Sequence, residues 1–182
     1  MKFIELGLRG VWLIEPVLYA DDRGVFRRHF CREEFAAHGL ASAALQANVS
    51  ENPHTGTLRG FHYQDGRFGE AKTMSCITGA IHDIVVDLRP ESPTFMQWVS
   101  ADLSAGDRRS IHIPVGCANA WLTTAPNTIV HYYVSEMYSP GAERGIRYND
   151  PAFGFRWPSE PTLISEKDQN WPDFVPSSAK KA

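Results

Sequence analysis

Short runs rich in β-branched and aromatic residues alternate with clusters of Gly, Pro, Asn and Asp along most of the chain. That punctuation leaves no room for a long helix between the runs. Strands are expected near residues 11–19, 24–30, 43–50, 57–64, 71–77, 80–88, 95–103, 108–113, 117–124 and 128–135. Turn signals separate them at 21–24, 52–56, 65–69, 79, 90–93, 105–107, 125–127 and 139–141. Many short strands at this spacing predict an all-β antiparallel sandwich or barrel. One short helix is expected over 32–38, where Arg32, Glu33, Glu34 and Phe35 precede a Gly39 stop. A second is expected from Ser165, where Ser-Glu-Lys-Asp reads as a capping box. There is no long βαβ pattern and no glycine-rich phosphate loop, which excludes dinucleotide-binding and P-loop architectures.

A chain of 182 residues suits one domain with a sizeable core. It is expected to span 1–174, with a small, polar, flexible tail at 175–182. The net charge of −3 argues against a general electrostatic grip on nucleic acid or an anionic membrane. No apolar run reaches the roughly 20 residues of a membrane span. The first residues, broken by Glu5, Arg9 and Glu15, are expected to hold no signal peptide. Cys31, Cys76 and Cys117 are odd in number and have no metal spacing, which suits small buried residues in a reducing compartment. A cytoplasmic location is the expectation.

In a barrel with an apolar interior, the informative residues are polar ones that alternation turns inward. Lys72 shares a face with Met74 and Cys76, Tyr132 with Val130 and Val134, and His62 with Leu58 and Gly60. A base, a cation and a phenol are thus expected inside one barrel. Each alone also fits a core role: a hydrogen-bonded histidine, a snorkelling lysine, a tyrosine burying its ring. Arg59 falls on the wrong face for this group. A bulge at Gly60 would bring it back, because strand glycines mark bulges beside active sites. His54, His62, His82, His112 and His131 form neither H-x-H nor H-E-x-x-H spacing, and no metal is expected.

Several stretches carry a resemblance that covers nearly the whole chain, in order. They are DDRGVF (21–26), QANVSEN (46–52), GTLRGFHYQ (56–64), DIVVDLRPESPTFMQW (83–98), IPVGCANAWL (113–122), YSPGAERGIRYNDPAFGFRWP (138–158) and ISEKD (164–168). Together they resemble the dTDP-4-dehydrorhamnose 3,5-epimerase family. The resemblance implies a cupin-type antiparallel jelly-roll barrel, a homodimer, no cofactor, and a nucleoside-diphosphate 4-keto-6-deoxyhexose as substrate in rhamnose-like deoxysugar biosynthesis. Hydrogens at carbons 3 and 5 are acidified by the carbon-4 ketone, so a positioned base and acid suffice to invert either centre.

Position by position, His62 resembles the family's base, Asp168 its carboxylate partner and Tyr132 the acid that reprotonates the opposite face. Lys72 resembles the cation that steadies the enolate. Arg59 and Arg23 resemble the diphosphate grip, for which a planar guanidinium is suited. Tyr138 resembles the ring that stacks on the base. Gln46, Asn48, Glu143 and Lys167 match further ligand contacts. By the same resemblance, Arg23 or Phe26 serves the partner's site if Trp12, Leu13 and Ile14 pair across a two-fold axis.

Three positions depart from the family pattern. Asn119 stands where the family usually has His, and Ala47 where it carries Asp. Arg28 stands where a Glu helps read the base. These changes predict retained chemistry with an altered nucleotide or sugar preference, so CDP-, GDP- and UDP-linked sugars stand beside dTDP. The alternatives are a sugar-nucleotide ketoisomerase and a non-catalytic cupin that binds a sugar nucleotide.

Overall fold

In the computed structural model, which describes residues 1–176, the strands form two facing sheets and one separate hairpin. The first elements are β1 (Lys2–Glu5), β2 (Trp12–Glu15), β3 (Leu18–Asp21), β4 (Gly24–Arg27), α1 (Arg32–Ala37), β5 (Gln46–Asn52) and β6 (Thr57–Gln64). Then come β7 (Lys72–Thr78), β8 (Ala80–Asp87), β9 (Trp98–Ser104), β10 (Ser110–Ile113), β11 (Cys117–Thr123) and β12 (Thr128–Val134). The chain closes with β13 (Glu143–Gly145), β14 (Leu163–Ile164) and α2 (Glu166–Gln169). One sheet runs β1-β2-β10-β7-β12-β5 and the other β13-β6-β11-β8-β9. The architecture is the expected all-β, cupin-like antiparallel barrel with two short helices. One pair departs from it: β14 lies parallel to β6.

Alternation sorts the side chains into three layers. Met74, Val85, Ile111, Trp121 and Val130 fill the space between the sheets. On the outer face of the second sheet, Phe61, Ile84 and Val86 are covered by Phe153, Phe155 and Trp157. On the outer face of the first, Ile14 and Tyr133 are covered by Phe35 and Leu40. Neighbours such as Val85 and Val86 therefore serve different layers, as a period of two requires.

Several boundaries differ from expectation. The run at 11–19 is two strands, β2 and β3, interrupted at Pro16, which has no N–H for a ladder. β3 and β4 pair only with each other. The run expected from 95 begins at Trp98, after Met96 at φ +62°; that from 108 begins at Ser110, after Arg108 at φ +60°. Both are left-handed positions that a regular strand does not hold. Trp12, Leu13 and Ile14 are paired on both sides within the chain, to β1 and β10, so they do not form a free edge. Cys76 and Cys117 are buried, while Cys31 is half-buried. Of the expected tail, residues 177–182 lie outside the described residues. No described helix is long and apolar enough to cross a membrane.

Candidate active site

The site is built around an irregularity in β6. Opposite β11, the register runs Asn119 to His62 and Trp121 to Arg59, so Gly60 and Phe61 together face the single residue Ala120. This is the bulge that Arg59 required. Gly60 sits at φ +112°, and a Cβ there would lie 2.5 Å from the Asn119 carbonyl oxygen. Only glycine fits both demands. Phe61 turns outward and stacks on Phe155, with ring centroids 4.3 Å apart. Arg59 and His62 then line one cavity of about 560 Å³ with Trp121, Tyr132, Lys167 and Asp168.

His62 pairs with Asp168 through Nε2, at 2.6 Å from Oδ1. Asp168 is brought there by α2, where the Ser165 hydroxyl accepts from the Asp168 N–H at 3.1 Å. The capping box is only half closed, because the Asp168 carboxylate faces the imidazole instead of returning to Ser165. Its Oδ2 accepts from the Gly60 N–H at 3.3 Å. Burial raises the Asp168 pKa, but the hydrogen bond and charge of His62 and the Gly60 N–H outweigh it, leaving the carboxyl below its usual range. The pair leaves His62 Nδ1 without a protein partner among the described residues and shielded in a half-buried ring.

A second cavity of about 280 Å³ shares His62 and Tyr132 with the first and adds Gln46, Asn48, Lys72, Tyr138 and Glu143. Lys72 Nζ donates to the His62 carbonyl at 3.1 Å and pairs with Glu70 at 3.2 Å. Tyr132 lies on β12 of the first sheet, whereas His62 lies on β6 of the second. The two side chains thus enter the cavity from facing walls. Burial, reinforced by the Glu70 charge and opposed by Arg59, holds the Tyr132 phenol above its ordinary pKa, as the protonated acid.

Arg59 Nε donates to Asn52 Oδ1 at 2.7 Å, which fixes the guanidinium at the mouth. Tyr138 is 54% exposed, with its hydroxyl donating to Glu143 at 2.8 Å and its N–H to Gln46 at 2.6 Å. Lys167 Nζ meets the other Glu143 oxygen at 2.5 Å. Burial raises the Glu143 pKa, but Lys167 and Tyr138 bring it below the usual range. Asn119 is buried on β11 beside His62, and donates to Asp83 at 3.0 Å.

Ten positions expected at the site therefore line these two cavities in one chain, counting His62, Tyr132, Asp168, Lys72, Gln46, Asn48, Arg59, Tyr138, Glu143 and Lys167; Asn119 is buried just behind them, opposite His62. Three lie elsewhere. Arg23 is on the β3–β4 hairpin paired with Asp21 at 2.6 Å, Phe26 is 69% exposed, and Arg28 pairs with Glu34 at 3.6 Å. Phe26 and Arg28 border a different cleft of about 290 Å³ with Tyr19 and Glu34. Ala47 points to the outer side of β5, opposite Tyr133. Sequence reasoning missed Glu70, Asn52 and Asp83. Glu70 carried a signal, since it stands two residues before Lys72 and so on the same face. Among the described residues no three His, Cys, Asp or Glu side chains gather as a metal site.

Comparison with known proteins bears on this arrangement. The profile of the dTDP-4-dehydrorhamnose 3,5-epimerase family matches residues 5–175. A dTDP-4-dehydrorhamnose 3,5-epimerase of Sinorhizobium fredii is 38% identical over 176 residues, covering 96% of this chain and 90% of that protein. The crystal structure of the Bacillus anthracis enzyme of that name, with TDP and PPi bound, superposes with a TM-score of 0.91 at 37% identity, over 95% of this chain and 99% of the other. The structure of ChmJ, a 3'-monoepimerase from Streptomyces bikiniensis in complex with dTDP-quinovose, gives 0.86 at 33% identity, over 92% and 85%.

Proposed function

The chain belongs to the dTDP-4-dehydrorhamnose 3,5-epimerase family of isomerases, and from that premise we propose that it inverts carbon 3, carbon 5 or both in a nucleoside-diphosphate 4-keto-6-deoxyhexose. The observation that carries the mechanism is the placement of a His–Asp pair and a protonated tyrosine on facing sheets of one cavity. Asp168 holds the His62 Nε2–H, so Nδ1 presents the lone pair. Nδ1 removes a proton from a carbon next to the ketone, and the C–H electron pair moves onto the carbon-4 oxygen as an enolate. Lys72, an ammonium at the cavity wall, steadies that charge. The Tyr132 hydroxyl then delivers its proton to the other face as the enolate returns to the ketone, which inverts the centre. Solvent exchange resets His62 and Tyr132.

Arg59 suits a diphosphate oxygen at the mouth, and the exposed ring of Tyr138 suits stacking on a base. The Bacillus anthracis relative with TDP and PPi and the Streptomyces bikiniensis relative with dTDP-quinovose support a sugar nucleotide as ligand. Arg28 in place of the family's glutamate, with Ala47 and Asn119, favours a nucleotide or sugar preference of its own. The protein acts as a homodimer in which the β3–β4 hairpin, with Tyr19 61% and Phe26 69% exposed, crosses to a second copy and carries Arg23, Phe26 and Arg28 to its cavity. The enzyme is expected to act in the cytoplasm.

The test is incubation in heavy water with dTDP-, CDP-, GDP- and UDP-linked 4-keto-6-deoxyglucose, with NMR reading deuterium and configuration at carbons 3 and 5. Inversion at either carbon with at least one donor is expected, and the best donor reports the role of Arg28 and Ala47. Absence of exchange with every donor by a folded dimer contradicts the reading and returns the ketoisomerase and binding-module alternatives.

A further inference from the structure

Asp83 is a carboxylate inside the barrel that the proposed chemistry does not use. It sits on β8 opposite Trp121 of β11 and is fully buried. One oxygen, Oδ1, accepts from Asn119 Nδ2 at 3.0 Å; the other, Oδ2, is buried with no partner among the described residues. The same Asn119 nitrogen meets Met74 Sδ at 3.3 Å. A thioether sulfur can only accept, so the amide atom that meets it is the nitrogen, and the amide oxygen is turned elsewhere. Asn119 stands directly opposite His62 in the β6–β11 ladder. Directly opposed residues share a face with Cβ atoms about 5 Å apart, so Asn119 faces the barrel interior beside the base.

Building on the epimerase reading, we propose that Asp83 is a positioning residue: by holding the Asn119 nitrogen against the barrel wall, it presents the Asn119 oxygen to the sugar as an acceptor for a ring hydroxyl. A buried amide left without such an anchor is free to turn either end toward the ligand, and the acceptor is lost. Burial pushes the Asp83 carboxyl up to about 8, opposed by Asn119 and by the Lys72 charge. At neutral pH it is therefore an uncharged acid that can hold the amide without drawing the Lys72 ammonium away from His62 and Glu70. The other ionisable groups bordering this interior are Glu51 from β5, Arg59 and His62 from β6, Tyr132 from β12, and Lys167 and Asp168 from α2.

Calorimetric affinities for dTDP and UDP, each with its glucose conjugate, test the idea. The gain in affinity from adding the sugar is the quantity of interest, because only the sugar would meet Asn119. Asp83→Leu and Asn119→Leu are each expected to cut that gain by about tenfold, the worth of one hydrogen bond to a buried site, while leaving nucleotide affinity intact. The double variant is expected to lose no more than either single one. Asp83→Asn keeps a carbonyl acceptor without charge and is expected to preserve the gain within about threefold, a result that also serves if the Asp83→Leu variant fails to fold. Additive losses in the double variant, loss of the gain in Asp83→Asn, or a wild type that binds conjugate no better than nucleotide would each overturn the assignment. Turnover of the 4-keto substrates in the same preparations separates the two readings. A sugar gain that depends on Asp83 without any turnover supports the positioning role and counts against the epimerase.

Discussion

The barrel interior and the β3–β4 hairpin are opposite in construction. Inside, four of the chemical side chains are held by other groups: His62 by Asp168, Asp168 by His62 and the Gly60 N–H, Lys72 by the His62 carbonyl and Glu70, Arg59 by Asn52. On the hairpin, Val25 and Phe26 are 45% and 69% exposed, and the two strands pair only with each other. A two-stranded ribbon with bare apolar residues is marginal by itself. The difference separates two tasks. Proton transfer needs groups fixed to fractions of an ångström, and one chain supplies all of them. Of the residues that the resemblance assigns to the nucleotide, Arg59 and Tyr138 border this interior, whereas Arg23, Phe26 and Arg28 lie on or beside the hairpin, away from it.

The largest expected effect falls inside. His62→Ala is expected to lower kcat by about 10³-fold or more in a protein that still folds and dimerises, since it removes the base and leaves Asp168 unpaired. An unchanged kcat in a steady-state assay would dissolve the distinction between the two regions.

Gly60→Ala comes next. Its Cβ would lie 2.5 Å from the Asn119 carbonyl oxygen at φ +112°, so the bulge must distort. We expect a loss of about 2 kcal/mol or more in denaturant unfolding, with activity falling further as Arg59 and His62 leave a common wall. Phe26→Ala is expected to weaken self-association and nucleotide affinity by about tenfold while the unfolding midpoint of the protomer barely moves. Sedimentation and calorimetry read the two sides. An equal loss of fold stability would mean that the hairpin belongs to the protomer's core after all.

A further contrast is in the pH dependence of stability. Asp83 ionises near its usual value in the unfolded chain and at about 8 in the folded one. The folded state therefore binds the extra proton between those limits, and stability falls as pH rises from about 4 to about 8. Asp168 has the opposite sign: its lowered pKa gives stability that is present above the usual carboxylate range and lost on acidification through the folded value. Thermal midpoints against pH are expected to flatten between about pH 4 and about pH 8 in Asp83→Asn and on the acid side in Asp168→Asn.

The same two regions show what the sequence made legible. Alternation alone turned His62, Lys72 and Tyr132 inward, and a strand glycine marked the bulge that returns Arg59 to them. Period-two patterning reports the facing of long central strands well. It is silent on contacts that join distant segments. The His62–Asp168 pair spans 106 positions and is legible only through resemblance. β1, β13 and β14 hold four, three and two residues, too few for a period to register. The hairpin misled because 11–19 reads as one apolar run, while Pro16 ends the ladder within it. Asp83 gave no signal of its own in the sequence, because it stands opposite Trp121 and its partner Asn119 lies on the neighbouring strand.

The central claim is that proton removal and proton return come from opposite walls, by His62 and Tyr132. Tyr132→Phe in heavy water, with the 4-keto substrate found best for the wild type, tests it most directly. Deuterium is expected to enter the recovered substrate with its configuration retained, because His62 still removes and returns the proton, while inverted product falls by about 10²-fold or more. Inverted product formed at the wild-type rate would contradict it.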